Sequence, residues 1–114
     1  MYNGISRKED DIMNAKEILR ELVAINTVAD KDNNLIMNYI GNYFLKLGFN
    51  IERTKNRDTG KEVLIAKYGQ DPAIGFLGHT DTVGITDGWD TDPFTLTEKN
   101  EKLYGLGACD MKGG

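Results

Sequence analysis

Pro72-Ala73-Ile74-Gly75-Phe76-Leu77-Gly78-His79-Thr80-Asp81-Thr82-Val83 is the stretch on which the fold turns. Residues 72–77 form a short, nearly unbroken apolar run. That is the pattern of a strand buried on both faces of a sheet covered by helices. The chain then becomes polar, and in open α/β sheets ligands bind at the carboxyl ends of strands. In extended chain, residues two apart point the same way, so His79 and Asp81 share a face. Two arrangements are open: both side chains ligate a metal, or one ligates while the other orients it. An H-x-D pair alone decides nothing, because a lone histidine is commonly a hydrogen-bonded structural residue.

Upstream, the pattern is helical. Ser6 and Glu9 make an S-x-x-E capping box, and Ile12, Ala15, Leu19, Leu22 and Val23 recur at three- and four-residue steps. The helix is expected to fail at Ile25-Asn26-Thr27-Val28, where Asn and β-branched residues lower the propensity. A second helix is expected from Asn33 or Asn34, with the stripe Ile36, Tyr39, Ile40, Tyr43, Phe44 and Leu47 and a terminal Gly48. Gly41 inside it marks a close approach to a neighbour. Residues 49–53 and 63–66 read as strands joined by a turn at Asn56–Gly60. Helix, helix, strand, strand, buried strand is an α/β order.

Downstream, Trp89-Asp90-Thr91-Asp92-Pro93-Phe94 reads as a rigid loop capped by buried aromatics. Phe94–Thr97 and Lys102–Tyr104 then make a hairpin. It leads into Gly105-Leu106-Gly107-Ala108-Cys109-Asp110-Met111-Lys112-Gly113-Gly114. This is not a dinucleotide fingerprint, because Asp110 stands where G-x-G-x-x-G needs its last glycine, and no phosphate loop is present. Nine of the 13 glycines lie from Gly69 onward, so the second half is built of loops where side chains would obstruct. A carboxylate from this run, brought back to the His-x-Asp strand end, would suit zinc or a similar divalent ion.

Composition removes several alternatives. The 114 residues suit one domain, and 14 Lys+Arg against 18 Asp+Glu give a net charge of −4, so nucleic acid and anionic membrane are not expected partners. A single cysteine, Cys109, excludes an internal disulfide framework and a multi-Cys zinc module. No apolar leader precedes Glu9-Asp10-Asp11 and no run approaches ~18 apolar residues, which sets the expectation of a cytoplasmic protein without a membrane span.

Gly78–Val83, then Trp89 and Asp92-Pro93-Phe94, then Leu103–Gly107 and Asp110-Met111-Lys112-Gly113, together resemble the two-metal amidohydrolase and exopeptidase family. That family includes acetylornithine deacetylases, succinyl-diaminopimelate desuccinylases, aminoacylases and several di- and carboxypeptidases. The resemblance implies the N-terminal part of a zinc-exopeptidase-like catalytic domain: two helices followed by a mixed sheet, with residues 1–114 lacking a second, smaller domain. It implies two divalent ions (zinc, with cobalt or manganese as alternatives), His79 as ligand of one and Asp110 as bridge to both. It makes Asp81 the catalytic candidate that orients His79, and Asp110–Met111 a cis non-proline peptide. Cys109 falls where the family varies and reads as a small packing residue. Gly84 replaces a frequent proline, which should loosen its loop, and Leu106 replaces a frequent arginine. The Leu106 variant is similar to the acetylornithine deacetylase branch. The implied substrate is a small N-acyl amino acid or peptide, and a homodimer is compatible with the whole protein. The family's general base, a glutamate, and its remaining ligands have no counterpart here, so the chain alone is expected to be inactive.

Overall fold

A computed structural model describes residues 13–114. The first helix, α1 (Ala15–Ala24), starts later than the Ser6 box predicts, and that box lies outside the described residues. Asn14 takes the capping role instead. Its side chain accepts from the Glu17 N–H at 3.0 Å, and the Glu17 carboxylate accepts from the Asn14 N–H at 3.0 Å. The helix ends where expected, with Ile25 already extended.

Helix α2 (Asn34–Lys46) packs on a hairpin of β1 (Asn50–Lys55) and β2 (Glu62–Lys67), which pair antiparallel with Asn50 opposite Lys67. The Asn33 side chain couples the two layers, donating to the Glu62 carbonyl at 2.7 Å and accepting from its N–H at 2.8 Å. The close approach expected at Gly41 is to β2, for a Cβ there would lie 3.1 Å from Leu64 Cδ1. In the turn after β1, the Asn56 side chain accepts from the N–H groups of Asp58 and Thr59, both at 2.9 Å. Gly60 follows with φ +70°, a backbone region that favours glycine.

Residues 72–77 overturn an expectation. The run belongs to no strand, and Ile74, Phe76 and Leu77 are 76%, 97% and 98% exposed. A buried strand needs ladder partners and helical cover, and among the described residues neither lies beside it. Apolar sequence alone does not bury a strand.

The second hairpin, β3 (Thr97–Lys99) and β4 (Lys102–Tyr104), is shorter than read because Phe94 and Thr95 are held in a turn by Asp92. Asn100 and Glu101 join the strands with φ +52° and +59°, the geometry of a type I′ turn. Trp89 and Phe94 are half-buried rather than core residues. Among the described residues the buried apolar side chains are Val23, Ile36, Met37, Leu96 and Leu106, a small core. The radius of gyration, 16.2 Å, exceeds the ~13 Å of a close-packed domain of this length.

Two outcomes follow from this packing. A Cβ at Gly105 would sit 2.7 Å from Val23 Cγ1, whereas one at Gly41 meets only a movable Leu64 methyl. Gly105→Ala should cost roughly 1–3 kcal/mol by overpacking, read as a lowered urea midpoint, while Gly41→Ala should stay within about 1 kcal/mol of wild type. The exposed Ile74–Leu77 run should make the isolated chain self-associate. Phe76→Ser with Leu77→Ser should shift it toward monomer in sedimentation velocity, and a monomeric wild type would contradict this.

Candidate metal centre

The connector after α1 carries the His79 segment. The Thr82 N–H donates to the Thr27 carbonyl at 2.9 Å and the Ala29 N–H to the Thr82 carbonyl at 3.0 Å, a short parallel bridge. The Thr27 hydroxyl donates to the Thr80 carbonyl at 2.5 Å. The glycine-rich run then crosses this bridge. Gly107, at φ +75°, lies against the Thr82 methyl so closely that a Cβ would collide with it. Leu106 is fixed by donating its N–H to the Pro93 carbonyl at 2.7 Å. From there Ala108–Lys112 make one wide turn, with the Lys112 N–H on the Gly107 carbonyl at 2.9 Å and a cis peptide at Asp110–Met111, as the resemblance implied.

This crossing brings all three candidate residues together. His79 Nε2 lies 2.9 Å from Asp110 Oδ1, and His79 Nδ1 lies 3.2 Å from both the Asp81 carboxylate and the Asp81 carbonyl. His79 and Asp81 therefore share a face, as their spacing predicts. Both ring nitrogens meet oxygen acceptors, and only the doubly protonated imidazolium can donate to both. Partial loss of water lowers the imidazole pKa. The Asp110 hydrogen bond, the Asp81 carbonyl and the charges of the two carboxylates outweigh that and raise it above the ordinary histidine value.

The donor set fits a metal ion on one edge. Two ligands bound at about 2.0–2.1 Å with a tetrahedral angle stand roughly 3.3 Å apart, close to the 2.9 Å between Nε2 and Oδ1. A divalent cation in place of the Nε2 proton would satisfy both atoms, while Asp81 keeps the Nδ1 proton and the ring orientation. The side chains are open to an incoming ion, being 47% exposed at His79 and 84% at Asp110. Among the described residues no group of three or more His, Cys, Asp or Glu is arranged to hold a metal ion, so His79 and Asp110 supply one edge of a site and not a closed ligand set. Cys109 is an exposed free thiol, not the packing residue expected from sequence.

Three residues behind the centre escaped the sequence reading. Thr27, Thr82 and Lys112 are buried, and Lys112 Nζ donates to the Ile25 carbonyl at 2.8 Å. Burial pushes the Lys112 ammonium down to about 8. The only signal in the sequence is the position of Lys112, two residues after Asp110, and that does not identify a partner 87 residues away.

Residues 75–114 match the model of Peptidase family M20/M25/M40. The chain is 42% identical over 106 residues to the acetylornithine deacetylase of Photorhabdus laumondii, and 45% identical over 107 residues to that of Erwinia tasmaniensis. Each alignment covers 85% of this chain and 28% of the relative, so the chain spans little more than a quarter of their length. The crystal structure of human carnosine dipeptidase 1 superimposes with a TM-score of 0.75 at 30% identity, over 86% of this chain and 25% of that one. Over residues 75–114, the stretch that holds His79, Asp81 and Asp110, the chain is similar to Peptidase family M20/M25/M40.

Proposed function

We propose that the chain is the ligand-bearing N-terminal part of a metal-dependent amidohydrolase that removes the acetyl group from N-acetyl-L-ornithine. The observation that carries this reading is the convergence of His79 Nε2 and Asp110 Oδ1 at 2.9 Å, with Asp81 behind the ring. The deacetylase names of relatives 42–45% identical favour this substrate. The dipeptidase likeness favours a second reading, hydrolysis of a dipeptide by the same site. Either substrate is a small amide, and neither reading involves nucleic acid or a membrane. No described helix is long and apolar enough to cross a membrane, which is compatible with a cytoplasmic location, and we place a homodimer with the whole protein.

In this reading His79 and Asp110 would hold the cation, zinc or alternatively cobalt or manganese, and Asp110 would also serve as ligand to a second ion. When bound, such ions lower the pKa of a water and polarise the scissile carbonyl. Asp81 keeps the Nδ1 proton in place, so that Nε2 faces the ion as a lone-pair donor. Two ligands fall short of the three that a catalytic zinc site takes from protein. The isolated chain should therefore bind zinc weakly and hydrolyse nothing.

A chimera in which this chain replaces the matching stretch of the Erwinia tasmaniensis enzyme tests the reading by acetate release. It should turn over N-acetyl-L-ornithine faster than carnosine, and the reverse order would favour the dipeptidase. His79→Ala and Asp110→Ala should each abolish turnover. Asp81→Ala should retain some turnover, with zinc affinity down roughly 10–100-fold. A chimera fully active with His79→Ala would sink the proposal.

The raised His79 pKa has a sign that can be checked. Proton and metal compete for Nε2, so zinc affinity should fall about tenfold per pH unit below that pKa and level off above it. Asp81→Ala removes one of the carboxylate charges that raise the pKa, and should move the break in the zinc-affinity profile to lower pH.

A further inference from the structure

Among the described residues the buried polar or charged side chains are Thr27, Thr82 and Lys112, with 3%, 5% and 8% of their surface exposed. All three are tied by hydrogen bonds to the segments that carry His79 and Asp110 or to the connector between them and α1. Burying an ammonium against a neutral carbonyl costs more hydration than one hydrogen bond returns. A methionine would fill much the same space without that cost. The charge is therefore better understood by what it connects.

Lys112 stands two residues after Asp110, and its Nζ reaches the carbonyl of Ile25, the residue that closes α1. A helix C-terminus presents unpaired carbonyls and negative partial charge, so it holds a cation well. Two residues further on, Thr27 holds the other side. Its hydroxyl takes the Thr80 carbonyl, between His79 and Asp81, and its carbonyl takes the Thr82 N–H. One rigid five-residue connector, Ile25–Ala29, thus grips the His79 segment with one residue and the Asp110 turn with another. Gly107 permits the two to approach, since any side chain there would strike Thr82.

We infer that Thr27 and Lys112 are positioning residues that set the separation of His79 Nε2 and the Asp110 carboxylate through the connector after α1. The inference rests on the proposed metal site for its purpose, while the separation is a property of the chain's own atoms that can be measured directly. Thr27 and Lys112 bond backbone carbonyls, not the His79 ring or the Asp110 carboxylate.

His79 is the only histidine, so its ring nitrogens give unambiguous resonances in a ¹⁵N-labelled chain. At fixed pH and without metal, Asp110→Ala defines the Nε2 shift of the broken contact. Lys112→Met and Thr27→Val should each move Nε2 toward that value, while Lys112→Arg and Thr27→Ser, which keep a donor, should stay near wild type. Zinc added to the same samples should bind about tenfold more weakly to Lys112→Met and Thr27→Val, the lower end for groups that orient a ligand. In the Asp110→Ala background, Lys112→Met should cost zinc affinity nothing further, which a general loss of stability would not reproduce.

Folded Lys112→Met and Thr27→Val proteins with a wild-type Nε2 shift would overturn the inference. So would loss of folding by both under conditions where Asp110→Ala is folded, since the role would then be structural. If only Lys112→Met fails to fold, Thr27→Val decides, because it removes a hydroxyl and little volume. An Nε2 contact that responds to both residues, in a chain whose imidazole is unmoved by zinc, would keep the inference and reject the metal site.

Discussion

The five residues Ile25–Ala29 are the constraint on which the described structure depends. The Ile25 carbonyl accepts Lys112, the Thr27 carbonyl and hydroxyl hold Thr82 and Thr80, and Ala29 pairs with Thr82 and accepts Lys61. α1, the His79 segment, the Asp110 turn and the β1–β2 hairpin therefore meet at one short stretch of backbone. Among the described residues the buried apolar side chains number five, too few to orient four elements by packing alone. Directional polar contacts take up that task, because a hydrogen bond fixes geometry where a hydrophobic contact mainly fixes proximity.

The glycine-rich second half makes sense against this connector. Gly105 lies on Val23 and Gly107 on Thr82, each at a distance no side chain could tolerate. These contacts let a loop run flush against the end of α1 and deliver Asp110 to His79. A glycine costs conformational entropy on folding, and here the return is a carboxylate held 2.9 Å from an imidazole. The same closeness accounts for the electrostatics. Two carboxylates flank one ring, and in the proposed reading a divalent cation would lie between His79 Nε2 and Asp110 Oδ1.

Much of this was legible in the residues. The stripe from Ile36 to Leu47, the break at Ile25–Val28 and the Asn56–Gly60 turn express local rules of periodicity and turn chemistry, and the structure follows them. His79, Asp81 and Asp110 stood out because their chemistry is unusual beside an apolar run and a glycine-rich loop. The run at 72–77 was misread, because burial belongs to the neighbours of a segment and not to its own letters. The cap of α1 was misplaced, since Ser6–Glu9 and Asn14–Glu17 satisfy the same local pattern. Thr27 and Lys112 could not have been found. Their partners lie 53 and 87 residues away, and no local pattern marks a hydroxyl or an ammonium for such a contact.

Anomalous diffraction at the zinc edge, on crystals of the chimera with the Erwinia tasmaniensis deacetylase, tests the central claim most directly. A zinc peak within about 2.0–2.2 Å of both His79 Nε2 and an Asp110 carboxylate oxygen, with Asp81 still on Nδ1, is the expected result. Zinc bound elsewhere, at Cys109 or with His79 Nε2 turned away from it, would contradict it.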